Sequence, residues 1–109
     1  MRRYASLRRR ADFARLRRHG RRAAGRILTL YLTDALPRDA SSLVGITVNK
    51  AIGKAVVRNK LRRRLAAIVD DALAESGRAL RMVIVARPGA AQADFAALRA
   101  DFLSALRRA

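Results

Sequence analysis

The sequence predicts a small mixed α/β (α+β) fold, a two-layer sandwich in which helices cover a short sheet. Three patterns predict it: two stretches of alternating apolar residues, one near-continuous apolar run, and two helical stripes of 3.6-residue period. In chain order they read helix, strand, strand, helix, strand, helix. At 109 residues the chain fits one domain, 1–109, and a domain of this size buries roughly two-thirds of its unfolded surface. With 51% of residues hydrophobic and no cysteine, the core must hold without disulfides, and thiolate chemistry and Cys-based zinc sites are excluded.

Arg10 to Arg18 reads as a short helix with Phe13 and Leu16 on one side and Gly20 close behind as a stop. Arg26 to Thr33 alternates as a strand, with Leu28, Leu30 and Leu32 facing one way and Ile27, Thr29, Tyr31 and Thr33 the other. Residues 35–42, with Pro37 and Asp39, suit a loop. Leu43 to Val48 is a second strand whose Val44, Ile46 and Val48 share a face, opposite Thr47 and Asn49. From Ala55 to Ser76, Val57, Leu61, Leu65, Ile68 and Ala72 form one helix stripe, closed by Gly77. Leu80 to Ala86 suggests a central strand buried on both faces. A last helix from about Ala91 to Arg108 aligns Phe95, Leu98, Phe102 and Leu106, with Asp94 in its early turns.

Charge separates this chain from an ordinary domain. Lys and Arg total 25 against 8 Asp and Glu, a formal net of +17. Residues 1–26 carry eleven Arg and one acid, Asp12, whereas residues 50–64 carry seven basic residues and no acid. From Leu65 onward six basic residues face five acidic ones. Self-repulsion on this scale is relieved by a polyanion, so nucleic acid leads and an anionic membrane follows. No apolar run approaches the ~20 residues of a membrane span, and residues 1–9 read as a basic arm whose order the sequence leaves open. All three lysines, Lys50, Lys54 and Lys60, fall within eleven residues. Either they are remnants in an arginine-biased chain, or this segment needs compact point charges beside arginine forks.

The basic block opens the longest helix, where cations oppose the helix dipole at roughly a few tenths of a kcal/mol to 1 kcal/mol each. A block placed against the dipole answers to a ligand better than to folding, although a solvated basic face is the plainer alternative. Arg58 and Arg62 share one border of the apolar stripe, Lys60 and Arg64 the other, and Arg63 points away from the core. Gly53 permits a tight turn into the helix, and Asn59 can donate and accept among the charges. Catalysis by the chain itself lacks a basis. The single histidine, His19, sits at a helix end, and Asp70, Asp71 and Glu75 read as polar-face residues. No nucleophile–base set emerges.

Ile46-Thr-Val-Asn-Lys-Ala-Ile-Gly-Lys-Ala-Val-Val-Arg-Asn-Lys-Leu-Arg-Arg-Arg-Leu65 resembles the signature of the bacterial ribonuclease P protein subunit, a Val-Ser-Lys-Lys-x-Gly-x-Ala-Val-x-Arg-Asn-Arg-Ile-Lys-Arg pattern leading into its RNR helix. Ala11 to Gly20, Arg26 to Tyr31 and Met82 to Arg87 resemble the family's first helix, first strand and later strand. The resemblance implies an α/β sandwich with a left-handed βαβ crossover, shared with a domain of a small-subunit ribosomal protein. It implies a holoenzyme that removes the 5′ leader of precursor tRNA by Mg²⁺-dependent hydrolysis in the cytoplasm, with RNA as the catalytic component, Mg²⁺ held mainly by that RNA, and no further protein partner. By the same resemblance Lys54, Arg58, Asn59, Lys60, Arg62 and Arg63 contact the catalytic RNA. Phe13, Arg17, Tyr31, Thr47 and Lys50 hold the leader. Phe13 also reads as a core anchor, and Tyr31 as a half-buried strand residue. The chain departs from the pattern at Asn49 (usually Ser), Ala51 (often Lys), Ala66 (usually Arg) and Arg17 (often aromatic). Composition alone fits a ribosomal or nucleoid protein as well.

Overall fold

The structure, a computed structural model, describes residues 3–109. It contains β1 (Tyr4–Ser6), α1 (Arg10–His19), β2 (Arg21–Ala24), β3 (Leu28–Asp34), β4 (Ser42–Thr47), α2 (Ala55–Ser76), β5 (Leu80–Ala86) and α3 (Phe95–Arg108), with 3-10 turns at Lys50–Ile52 and Ala90–Gln92. One five-stranded sheet has the order β1-β4-β5-β3-β2. β4 and β5 are parallel neighbours joined through α2, and β1 is parallel to β4. β3 runs antiparallel to both β5 and β2.

The mixed α/β sandwich is as predicted, and it carries two strands more than the periodicity showed. β1 lies inside the segment read as a basic arm, and its Tyr4 is buried. For residues 1 and 2 the arm reading lies outside the described residues. β2 is an edge strand of sequence Arg-Arg-Ala-Ala with a single buried side chain, Ala23. Its charges suit an edge, where they discourage further strand pairing.

The main core lies between one sheet face and helices α2 and α3. Leu28, Leu30, Leu32, Val44, Met82 and Ile84 from the sheet meet Leu61, Leu65, Ile68 and Ala72 of the expected stripe, with Val69 and Leu73 added. Phe102 of α3 is fully buried among them. Two expected stripe residues fall outside this core. Val57 is 37% exposed, since it lines an open notch between the start of α2 and the Ala90–Gln92 turn. Phe95 is 40% exposed. The last helix begins at Phe95, four residues later than expected, with Asp94 as its N-cap accepting from the Ala97 N–H at 2.8 Å. Side chains lean toward the helix N-terminus, so a first-turn Phe projects beyond the core.

Helix ends show the glycine logic in two forms. Gly77 closes α2 in the left-handed conformation, φ 66°, as expected. Gly20 stops α1 as expected, but with extended backbone, φ −71°, in place of the left-handed form. A Cβ there would meet the Leu16 carbonyl oxygen at 2.6 Å, and the helix end is pressed onto β3.

Two polar clamps lock the layers. Asp101 of α3 accepts the backbone N–H groups of Arg26, Ile27 and Leu28 at 2.7, 3.1 and 3.0 Å, tying the helix to the β2–β3 turn. Arg81 of β5, 9% exposed, forms a two-pronged pair with Asp39 at 2.9 and 3.0 Å and reaches Asp12 at 3.4 Å. The Arg81 guanidinium, helped by the Leu36 N–H, holds the Asp39 carboxyl down to about 2. Asp39 keeps Arg81 protonated in turn. Asp39 therefore stays charged across the neutral range, and its stabilisation fades only as pH falls below the ordinary carboxylate value toward about 2. Asp70, read as a polar-face residue, accepts the Arg3 backbone N–H.

Candidate nucleic-acid interface

The second sheet face is covered only in part. Cross-strand pairing sets Gly45, Val83, Tyr31 and Arg22 in one row and Thr47, Val85, Thr29 and Ala24 in the next. Helix α1 packs on the first row. Leu16 is buried with Val83 and Leu7, and the Phe13 ring lies so close to Gly45 that a Cβ there would meet it at 2.4 Å. Arg17 places its guanidinium 5.5 Å from the Tyr31 ring centroid, a cation–π stack. In the second row Thr47 and Val85 are half-buried, and Thr29 is buried. The result is a shallow shelf floored by the half-buried Thr47 and Val85, with a wall made by α1.

Tyr31 sits between two cations. Hydrogen bonding from Arg22 and the charge of Arg17 draw its phenol below the usual tyrosine range, against the opposing effect of burial. Arg22 escaped the sequence reading because its position depends on the register of β2, which no alternation announced.

At the C-terminal end of β4 the chain turns sharply into α2. Asn49 caps the Lys50–Ile52 turn by accepting the Ala51 N–H at 3.1 Å, a role that Asn and Ser side chains both fill. Gly53 adopts φ 156°, ψ −168°, a region open essentially to glycine alone. Lys54 then opens α2 without a side-chain cap, and no acid stands in the first turn. The helix amides and the basic block thus present positive potential together.

The arginines here are ordered by backbone carbonyls. Arg58 Nε donates to Gly53 O at 3.1 Å, and Arg62 donates to Val48 O and to Asn59 Oδ1, each at 3.2 Å. Both side chains are half-buried, while Lys54, Asn59, Lys60 and Arg63 are exposed. A guanidinium has five N–H donors, so each anchored arginine keeps donors for a second partner. Asn59 is turned toward Arg62 and orients it.

The candidate residues therefore fall into two neighbouring places. Arg17, Tyr31 and Thr47 belong to the shelf, with Lys50 at its end. Phe13 anchors α1 on Gly45 and also lines a groove of ≈ 320 Å³ with Arg62, Arg63 and Ala66. Phe13 thus serves as the anchor the sequence allowed, and its open side faces the helix arginines across this groove. The alanine at position 66, where the family pattern has Arg, leaves this groove open.

These features define a class of protein: a small, arginine-rich α/β sandwich with an uncapped basic helix beside a half-open sheet face, shaped for a polyanion. The comparisons place the chain within that class. It belongs to the ribonuclease P protein family, whose model, described as Ribonuclease P, matches residues 1–109. It is 44% identical over 96 residues to the ribonuclease P protein component of Acidothermus cellulolyticus, covering 88% of this chain and 80% of that one. It is 42% identical to that of Streptomyces griseus, covering 94% and 89%. Among solved structures it resembles the RNase P protein of Thermotoga maritima, with TM-score 0.82, 25% identity, and coverage of 94% and 98%. The Staphylococcus aureus protein shares the fold at TM-score 0.81, with 94% and 92% covered.

Proposed function

We propose that this chain is the protein subunit of ribonuclease P. It binds the catalytic RNA through α2 and the 5′ leader of precursor tRNA on the shelf beside α1, and so assists Mg²⁺-dependent removal of the leader. Continuity of the two surfaces carries this reading. Thr47 on the open face, Lys50 in the turn and Lys54 at the helix start are spaced three and four residues apart. A single strand lying on the sheet and an RNA held by the helix would meet at one turn.

Each surface suits its assigned strand. A tyrosine backed by arginine offers a stacking platform for an unpaired base, worth about 1–3 kcal/mol per base. Arg17, at a position where the family pattern often has an aromatic residue, lies over the Tyr31 ring, so here a guanidinium plane forms part of the stacking surface. Arg58, Lys60, Arg62 and Arg63 contact phosphates of the catalytic RNA, and Lys50 and Lys54 lie between the two strands. Mg²⁺ belongs to the RNA in this reading. No described helix is long and apolar enough to cross a membrane. From the family we place the ribonucleoprotein in the cytoplasm, with no second protein required.

Tyr31→Ala tests the shelf. The variant is expected to bind leader-bearing precursor tRNA about 5- to 100-fold more weakly, with mature tRNA binding unchanged. Equal losses for both would remove Tyr31 from the leader site.

A further inference from the structure

We propose that a notch between the first turns of α2 and the Ala90–Gln92 turn receives one unstacked base of the ribonuclease P RNA, with Lys60 and Arg64 holding its phosphate. The inference rests on the subunit reading above and adds a contact on the border of α2 opposite Arg58 and Arg62.

Val56 is 79% exposed and Val57 37%. They line a notch of ≈ 260 Å³ with Leu61, Ala90 and Ala91, rimmed by Lys60 and Arg64. Single exposed apolar residues are ordinary on protein surfaces. This pair differs because it lies inside residues 50–64, which carry seven cations and no acid. Folding does not call for Val56: it contributes little burial, and valine is a middling helix former.

The occupant follows from shape and charge. The volume falls below the ~300–1,000 Å³ of a drug-sized site, so it suits a flat fragment and excludes a helix or a base pair. Lys60 and Arg64 are one helical turn apart, about 5–6 Å between Cβ atoms, and Lys60 is exposed. Arg64 is steadied at the rim by donating to Ala93 O at 3.4 Å, with further N–H groups left for a ligand. A flat apolar group joined to an anion is a nucleotide. RNA offers such groups at loops and bulges, where bases are splayed out. An anionic bilayer would instead need a broad, projecting apolar face.

The test is Val56→Ser in the full chain, titrated with the ribonuclease P RNA of the same organism across a salt series. Serine and valine have similar helix propensities, so an unchanged melting temperature is expected. Binding should weaken about three- to tenfold, as expected for withdrawing one or two apolar groups from a contact. The slope of log K against log salt should stay constant, because burying a base releases no counterions. Val56→Leu should restore the affinity, and Lys60→Ala should lower the slope by about one.

Wild-type affinity in Val56→Ser overturns the notch while leaving the subunit reading intact. A changed slope in that variant also overturns it, since the valine would then be arranging phosphate contacts. Valine-dependent binding to phosphatidylglycerol vesicles would assign the patch to a membrane and overturn it too. If the wild type does not bind this RNA, the subunit reading itself falls, and the notch with it.

Discussion

Replacing Arg58 and Arg62 together by alanine is expected to weaken binding of the ribonuclease P RNA by roughly a hundredfold near 0.1 M salt. The salt slope should fall by about two. Each phosphate contact contributes a slope of about −0.9, equivalent to roughly tenfold at that salt concentration. The pair should approach this full value because the folded chain already orders both groups. Arg58 is held on Gly53 O and Arg62 on Val48 O and Asn59 Oδ1, so less side-chain entropy is lost on binding. Lysine at either position would keep the charge but lose the fork that reaches carbonyl and phosphate together. Titration of the RNA across a salt series is the measurement. An unchanged slope would show that both guanidiniums serve only the turn into α2.

Asp101→Ala should lower folding stability by about 2–4 kcal/mol. Three backbone N–H groups lose their acceptor at once, and each buried donor left unsatisfied costs about 1–3 kcal/mol. The Arg26 N–H is exposed and those of Ile27 and Leu28 are part-buried, so water recovers some of the loss. For a domain of this size the melting temperature should drop roughly 10–20 °C, measured by circular dichroism. Asp101→Asn should also destabilise, since its amide nitrogen would face donors. A shift of only a degree or two would mean that the β2–β3 turn holds itself.

These two predictions differ in how far the sequence alone foreshadowed them. Arg58 and Arg62 stood out because a basic block against the helix dipole is locally anomalous. Helix α2 and strand β5 were legible to the residue, since a long stripe ending in glycine and an apolar run are strong local signals. Asp101 gave no such signal: its three partners lie more than seventy residues away in sequence. Strand β1 is three residues long and takes its register from β4. Strand β2 has no alternation to read, which also concealed Arg22 beside Tyr31. Arg81 was readable in principle. A charge inside an apolar strand demands a partner, and the chain has only 8 acids to choose from. Asp12 and Asp39 meet at that arginine only through the packing of α1 and the loop before β4.

The most direct measurement is 5′-leader cleavage of precursor tRNA by the cognate ribonuclease P RNA at low Mg²⁺ and physiological salt, with and without this protein. Cleavage at the mature 5′ end should be slow with RNA alone and restored when the protein is added. Equal cleavage in its absence would contradict the assignment and leave a basic ribosomal or nucleoid protein in its place.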